Sequence, residues 1–224
     1  MITVHHLENS RSQRILWLLE EMRVEYEIRC YARDRRTGLA PPELIEVHPL
    51  GKSPVITDDG ITVAESGAII EYLLGKYDDG SLWPAAGSAA QRACSYWLHY
   101  AEGSFAPLML VSLLMARIET APVPFFIKPV AKGLAAKVRA NYLDHNVQRH
   151  LDFMEASLSS SLWFGGETFS AADIQMSFAV DAAEARTNLR EDYPRLSAFL
   201  DRIRSRPAYQ AAIAKGGAYQ LSRI

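Results

Sequence analysis

The sequence predicts two structural parts, an α/β unit in the first third of the chain and an all-helical unit in the rest. Three observations favour this division. Strand-like and helix-like patterns alternate up to about residue 78. A stretch rich in Gly, Pro and Ser follows, and beyond it the strand patterns fade while long helical patterns dominate. We therefore expect an α/β domain at residues 1–78, a linker at 79–88 and a helical domain at 89–224.

The α/β domain is expected to have the element order β-α-β-α-β-β-α with a mixed sheet. Strands are predicted at Ile2–Leu7 and Tyr26–Tyr31. Asp58-Asp59-Gly60 is a turn signal between the two short strands of a hairpin. The predicted helices are Ser12–Met22, residues 40–47 with prolines near the start, and Glu65–Tyr77.

The second domain carries five helical patterns. They cover Gln91–Glu119, Lys128–Leu158, Ala171–Arg186, Pro194–Arg204 and Ala208–Lys215. Prolines in "TAPVPFFIKP" separate the first two, because proline cannot continue a helix. In "FSAADIQMSF", Ser170 and Asp173 have capping-box spacing, with Phe169 placed as a hydrophobic staple, so this segment is expected to be structural.

Composition is typical of a globular protein, with 49% hydrophobic and 22% charged residues. The formal net charge of −2 argues against nucleic-acid binding. No continuous apolar run approaches the roughly 20 residues of a membrane helix, and no signal-peptide layout is visible. Cys30 and Cys94 are far apart, as expected of reduced thiols in a cytoplasmic protein. We expect no metal and no membrane partner.

Pro54 lies at the start of a predicted strand in "HPLGKSPVITDDG". Taken alone, it is best interpreted as a proline tolerated at a strand's first residue. The alternative is a cis Ser53–Pro54 bond, which would leave backbone groups of Ser53 free to pair with an extended peptide ligand.

Glu65 and Ser66 lie where the fourth strand ends and a helix begins. Capping is the usual role of either residue alone. A helix N-terminus also binds carboxylates, so Ser66 could hold a carboxylate while Glu65 holds an ammonium group. Lys52 could hold a second carboxylate. The ligand suggested by this set is a small extended peptide with an amino-acid head and an acidic tail.

Together, "SRSQRILWLLEE", "HPLGKSPVITDDG", "AESGAIIEYL" and "FSAADIQMSF" resemble the cytosolic glutathione transferase family. The similarity covers nearly the whole chain in the family's order and is to serine-type bacterial and fungal members. It implies a thioredoxin-like first domain, a helical second domain and a homodimer. It also implies that glutathione binds against the first domain, beside a cleft for an apolar electrophile.

The resemblance implies a role for each matching residue. Ser53, ahead of a cis Pro54, would pair its backbone with the cysteinyl part of glutathione. Glu65 and Ser66 would hold the γ-glutamyl end, and Lys52 would lie near the glycine carboxylate. A further basic residue of the family falls near Leu39-Ala40 here, with Arg35 and Arg36 upstream, so how the glycine end is held is left open.

The thiolate needs stabilisation, since a free thiol has a pKa of about 8.5. A hydroxyl that donates to sulfur, or a helix N-terminus, would supply it. In serine-type relatives the activating serine lies four residues before the helix arginine; Arg14 matches that arginine, so Ser10 matches the serine. Ser12 is expected to be the helix N-cap and Asn9 a second donor, although Ser10 could itself be only a cap.

Apolar walls for the electrophile are expected on the first long helix, where Tyr100 and Phe105 are the predicted cleft residues. The favoured function is conjugation of glutathione to small apolar electrophiles, with peroxide reduction as a second activity. The alternative is a non-catalytic module for protein interaction. A thiol-disulfide oxidoreductase is third, because residues 10–13 contain no cysteine.

Overall fold

A computed structural model describes residues 1–217 and 221. Four strands form one mixed sheet in the order β2-β1-β3-β4. β1 and β2 are parallel, whereas β1–β3 and β3–β4 are antiparallel. The strands are Ile2–Leu7 (β1), Tyr26–Tyr31 (β2), Val55–Asp58 (β3) and Ile61–Ala64 (β4). The predicted mixed sheet and the order of its elements are confirmed.

The helices of the sheet-containing part are Gln13–Met22 (α1), Glu43–Val47 (α2) and Ser66–Tyr77 (α3). The rest of the described chain is helical, as predicted. Its helices are Ala89–Tyr100 (α4), Ala106–Thr120 (α5), Lys128–Val138 (α6), Asp144–Ser157 (α7), Ala171–Glu184 (α8), Leu189–Asp192 (α9), Pro194–Arg204 (α10) and Pro207–Gly216 (α11). Residues 79–88 contain neither helix nor strand, and the domain limits stay a prediction.

Two long helices that the sequence predicts as regular contain π-helical turns. Ala101–Phe105 joins α4 to α5, and Arg139–Leu143 joins α6 to α7. A π turn accommodates an extra residue without ending the helix, so apolar periodicity alone does not reveal it. Short α9 was not predicted.

Within the described residues, the continuous helix Ala89–Thr120 is the one helix long and apolar enough to span a membrane. Its best 18-residue window has a mean hydropathy of 1.4, and 28% of that window is buried. A core helix of a soluble protein passes the same test of length and composition, so a single helix of this kind is weak evidence for a membrane.

The two parts of the chain share one hydrophobic core. Trp17 of α1 is almost fully buried. Its ring centroid lies 5.5 Å from that of Phe169 before α8 and 5.1 Å from that of Tyr209 in α11. Glu21 of the same helix forms an ion pair with Arg206. α1 is therefore covered on one side by the sheet and on the other by the helical part.

The start of α8 has the predicted capping box. The buried carboxylate of Asp173 accepts hydrogen bonds from the Ser170 N–H at 2.9 Å and the Phe164 N–H at 2.8 Å. Burial raises the pKa of Asp173 to about 7. Nearly every side chain of α8 is buried, so this cap orients the central helix of the second part.

Candidate functional site

The site is built around the hinge, residues 8–12, between β1 and α1. Exposed Asn9 has a φ of 50°, a left-handed conformation that asparagine tolerates well. Arg33 fixes the hinge from the far end of β2: its side chain donates to the Glu8 carbonyl at 3.1 Å and to the Asn9 carbonyl at 3.4 Å. The Arg33 side chain thus holds the backbone after β1 in one conformation by binding two of its carbonyl oxygens.

Three serine hydroxyls meet beside this hinge. Ser10 Oγ lies 2.7 Å from Ser12 Oγ and 3.4 Å from Ser53 Oγ. The pairing of β1 with β3 places His5 opposite Val55, which brings Ser53 to the end of β1. Ser53 is anchored there, since its hydroxyl donates to the His5 carbonyl at 2.9 Å. The structure therefore brings the Ser53 hydroxyl beside those of Ser10 and Ser12, from which it is distant in sequence.

Ser12 occupies the N-cap position of α1 but does not cap the helix with its side chain, contrary to prediction. Its backbone is already helical, with φ −64° and ψ −20°, whereas a capping residue has β-region angles. Its fully buried hydroxyl contacts Nδ1 of His6 at 2.8 Å. Instead, Ser10 Oγ accepts the Ser12 N–H at 3.3 Å.

The Ser53–Pro54 peptide bond is cis, as the family resemblance implied. Pro54 is buried, Ser53 is half-buried and Lys52 is exposed. Val55 pairs with Ala64, so the segment before β3 lies beside the segment after β4. Residues 52–54 and 65–66 are therefore neighbours.

Glu65 precedes α3 with a φ of 72° and makes no capping hydrogen bond through its side chain, so the interpretation of Glu65 as a cap is wrong. A left-handed glutamate is uncommon, and such outliers concentrate at functional sites. Its side chain is exposed. Ser66, the first residue of α3, is buried, and its Oγ accepts a hydrogen bond from Arg14 at 2.9 Å.

Arg14 is a central buried residue whose partners the sequence did not predict. Besides Ser66, its guanidinium donates to the Gln175 carbonyl at 2.8 Å and to the carboxylate of Glu102. Burial would raise the pKa of Glu102, but the charges of Arg14 and Arg11 outweigh it and lower that pKa. Arg14 thus links α1, α3 and the second part of the chain. Its partners are distant in sequence, so no local pattern could identify them.

His6 is the second residue that sequence reasoning missed. Its side chain is buried, and Nε2 lies 2.9 Å from the carbonyl oxygen of Gly216 at the end of α11. Burial lowers the pKa of His6, so the imidazole is neutral at neutral pH. His6 lies next to the serine hydroxyls on one side and the last helix on the other. No sequence pattern relates positions 6 and 216.

The predicted cleft residues lie in the interior of the helical part. Phe105 is fully buried and Tyr100 is 6% exposed. The Tyr100 hydroxyl bonds to His150, and the Phe105 ring also contacts His150. The prediction that they form an open apolar wall is therefore corrected: they are core residues. The apolar pattern of the helix could not distinguish its buried face from one lining a cleft.

Phe178 of α8 brings an aromatic ring close to the hinge. The guanidinium of Arg11 lies 5.2 Å from the centroid of this ring. Arg11 also forms an ion pair with Glu102 at 3.3 Å. Among the described residues, no cluster of three His, Cys, Asp or Glu side chains could hold a metal ion. Cys30 and Cys94 are free thiols, the first exposed and the second buried.

The family model for the N-terminal domain of glutathione S-transferases matches residues 1–75, and that for the C-terminal domain matches residues 114–207. The chain belongs to the glutathione S-transferase family. Glutathione S-transferase 3 of Schizosaccharomyces pombe is 37% identical over 96% of this chain and 88% of its own. Glutathione S-transferase 1 of Saccharomyces cerevisiae is 34% identical over 97% and 96%.

A solved glutathione S-transferase from Actinobacillus pleuropneumoniae is also similar, with a TM-score of 0.81, 34% identity and coverage of 98% of this chain and 94% of that one. These comparisons confirm the family and the enzyme class predicted from sequence, a glutathione transferase. They also confirm the thioredoxin-like first domain followed by a helical one. The family binds glutathione; the roles of individual residues remain predictions.

Proposed function

We propose that this glutathione transferase conjugates the thiolate of glutathione to small apolar electrophiles and serves detoxification in the cytoplasm, with peroxide reduction as a second activity. The observation that carries the proposal is the cluster of Ser10, Ser12 and Ser53 hydroxyls beside the cis Pro54 bond. These hydroxyls lie close to the start of α1, where they would contact the sulfur atom of the ligand.

Glutathione would lie along the segments before β3 and after β4. The backbone of Ser53 would pair with the cysteinyl residue. Ser66 would donate its hydroxyl hydrogen to the γ-glutamyl carboxylate, because its oxygen already accepts from Arg14. The exposed carboxylate of Glu65 would hold the ammonium group, and exposed Lys52 would hold the glycine carboxylate.

The attacking atom is the ligand's sulfur, and the protein stabilises its negative charge. Ser10 would donate to the thiolate, with Asn9 at the rim of the hinge as a second donor. Helix α1 begins at Gln13, three residues after Ser10. Its N-terminus adds a partial positive charge near the proposed sulfur. Both effects favour the ionised thiol.

The chain is proposed to act as a homodimer. Several apolar side chains of the α4–α5 helix are exposed in the single chain: Tyr96 is 49%, Leu110 is 55% and Leu114 is 45% exposed. Phe153 of α7 adds a fourth, 43% exposed, with its ring 6.3 Å from that of Tyr96. An apolar surface of this length is typical of a subunit interface.

Ser10→Ala tests the proposed chemistry. Loss of a hydroxyl that stabilises charge at the reacting atom is expected to lower turnover by about 100-fold. Glutathione affinity should change little, since the peptide contacts remain. Turnover with a chromogenic electrophile and calorimetric binding of glutathione measure the two effects. Ser160→Ala, at an exposed site after α7, is the matched control.

Three results would contradict the proposal in different ways. Absence of glutathione binding by the wild type would remove the proposed ligand. Binding without turnover toward electrophiles or peroxides would identify a non-catalytic module. Full activity of Ser10→Ala would show that another hydroxyl activates the thiol.

A further inference from the structure

Four groups form a continuous hydrogen-bonded chain from the last helix to the hinge. The Gly216 carbonyl lies 2.9 Å from His6 Nε2, and His6 Nδ1 lies 2.8 Å from Ser12 Oγ. Ser12 Oγ in turn lies 2.7 Å from Ser10 Oγ. His6, Ser12 and Ser10 are all buried, so water does not compete for these contacts.

The chemistry of the groups fixes the direction of every bond. A carbonyl oxygen only accepts, so Nε2 of His6 carries the hydrogen. In the neutral ring Nδ1 is then the acceptor, and the Ser12 hydroxyl donates to it. Ser12 Oγ can therefore only accept from Ser10. Hence the Ser10 hydroxyl hydrogen points to Ser12 Oγ at 2.7 Å and not to Ser53 Oγ at 3.4 Å, and the Ser10 oxygen, which also accepts the Ser12 N–H, keeps one lone pair for the proposed thiol.

A serine held in this way is an acceptor for an incoming thiol. It becomes a donor to a thiolate only after the whole chain reverses its direction. Building on the proposed function, we infer that the proton lost by the glutathione thiol passes through Ser10 and Ser12 to Nδ1 of His6. His6 is thus a positioning residue that acts through two hydroxyls.

The transfer balances without any other reactant. The S–H bond breaks, and its proton binds Ser10 Oγ while the proton of Ser10 moves to Ser12 Oγ and that of Ser12 to Nδ1. The products are a thiolate and an imidazolium, and the attraction between these opposite charges offsets the burial that lowers the pKa of His6. The imidazolium now donates to Ser12, Ser12 donates to Ser10, and Ser10 donates to sulfur. The Gly216 carbonyl accepts from Nε2 in both states.

Gly216 is suited to this contact because it lacks a side chain. A Cβ at this position would lie 2.6 Å from Gln13 Oε1, 2.6 Å from Leu16 Cδ1 and 3.3 Å from His6 Cε1. The first two distances are too short for a Cβ, so a larger residue would displace the side-chain ends of Gln13 and Leu16, and glycine lets α11 approach His6 without that displacement. The end of α11 therefore determines which nitrogen of His6 carries the hydrogen.

Nitrogen NMR of the histidine rings tests the relay at neutral pH. Adding glutathione is expected to shift the Nδ1 resonance of His6 from the unprotonated to the protonated range. S-methylglutathione, which has no thiol proton, should bind without this shift. Comparison with His6→Gln assigns the resonance, and His5→Gln is the matched control because buried His5 contacts Tyr31 and Thr57 instead.

Ser12→Ala breaks the relay and leaves His6 in place. It is expected to bind S-methylglutathione normally but to hold about tenfold less thiolate at neutral pH, measured by ultraviolet absorbance of bound glutathione. An Nδ1 that stays unprotonated in the wild-type glutathione complex would overturn the relay, as would unchanged thiolate in Ser12→Ala. Failure of the wild type to bind either peptide would overturn the proposed function as well.

Discussion

At the scale of single residues, buried charges in this chain have several partners each, and Asp58 shows this most clearly. The side chain is fully buried at the end of β3. Its Oδ2 accepts from Lys76 at 2.7 Å, Tyr77 at 2.7 Å and Tyr72 at 2.9 Å. Burial alone would raise the pKa of Asp58, but these three donors outweigh it and lower the pKa to about 2.

Asp58→Asn is expected to reduce the free energy of unfolding by about 2 kcal/mol at neutral pH, because the three donors lose a charged acceptor. The folded-state pKa is below the unfolded one, so the contribution of Asp58 is present above pH ~4 and is lost as pH falls toward 2. Urea unfolding at several pH values measures both. Asp59→Asn, at an exposed neighbour, should cost less than ~1 kcal/mol. Equal effects of the two substitutions would contradict this assignment.

The sequence places Ser10, Ser53 and Ser66 at the ends of strands and the starts of helices, and the structure agrees. The sequence does not reveal which partners orient these serines. Ser12 was expected to follow the local rule for a cap, yet His6 offers its hydroxyl a buried acceptor. A partner brought in by strand pairing or helix packing has no signature in the neighbouring residues.

At the scale of elements, α8 depends on one carboxylate at its start. Asp173→Ala is expected to lower the free energy of unfolding by about 3 kcal/mol, because the buried N–H groups of Phe164 and Ser170 lose their acceptor. Asp173→Asn keeps one acceptor oxygen and should cost less. Thermal or urea unfolding provides the measurement.

Asp144→Ala is the control, since this exposed acid lies inside the continuous helix that runs from α6 into α7 and makes no capping bond. Its cost should not exceed ~1 kcal/mol, the usual limit for an exposed charge. If Asp173→Ala were as mild as this control, the capping box would not determine the stability of α8.

Helix positions were predictable to within a few residues because apolar spacing and proline positions mark them. The π turn at Ala101–Phe105 could not be predicted from the sequence, and neither could the burial of Tyr100 and Phe105. Periodicity identifies an apolar face, but which element covers that face depends on packing against residues such as His150.

At the scale of the whole molecule, the exposed apolar face of the α4–α5 helix leads to a prediction about assembly. Replacing both Leu110 and Leu114 with Glu should convert the proposed homodimer to a monomer, because the charges would be buried in the interface. Sedimentation equilibrium measures the mass. Leu162→Glu, at an equally exposed leucine outside this face, should leave the dimer intact.

A wild-type chain that sediments as a monomer would contradict the homodimer itself. A dimer that survives both substitutions would place the interface on another face. In either case the hinge and its serines are unaffected, since Leu110 and Leu114 point away from the core.

The contact of α1 with α11 also bears on how the protein is made. The strands and first helices leave the ribosome early, but Trp17 gains its neighbour Tyr209, and His6 gains Gly216, only after nearly the whole chain has been synthesised. Until then an apolar side of α1 has no cover. The N-terminal part of the nascent chain therefore cannot complete its packing until the last helix has been synthesised. In that interval its apolar surface is accessible to chaperones.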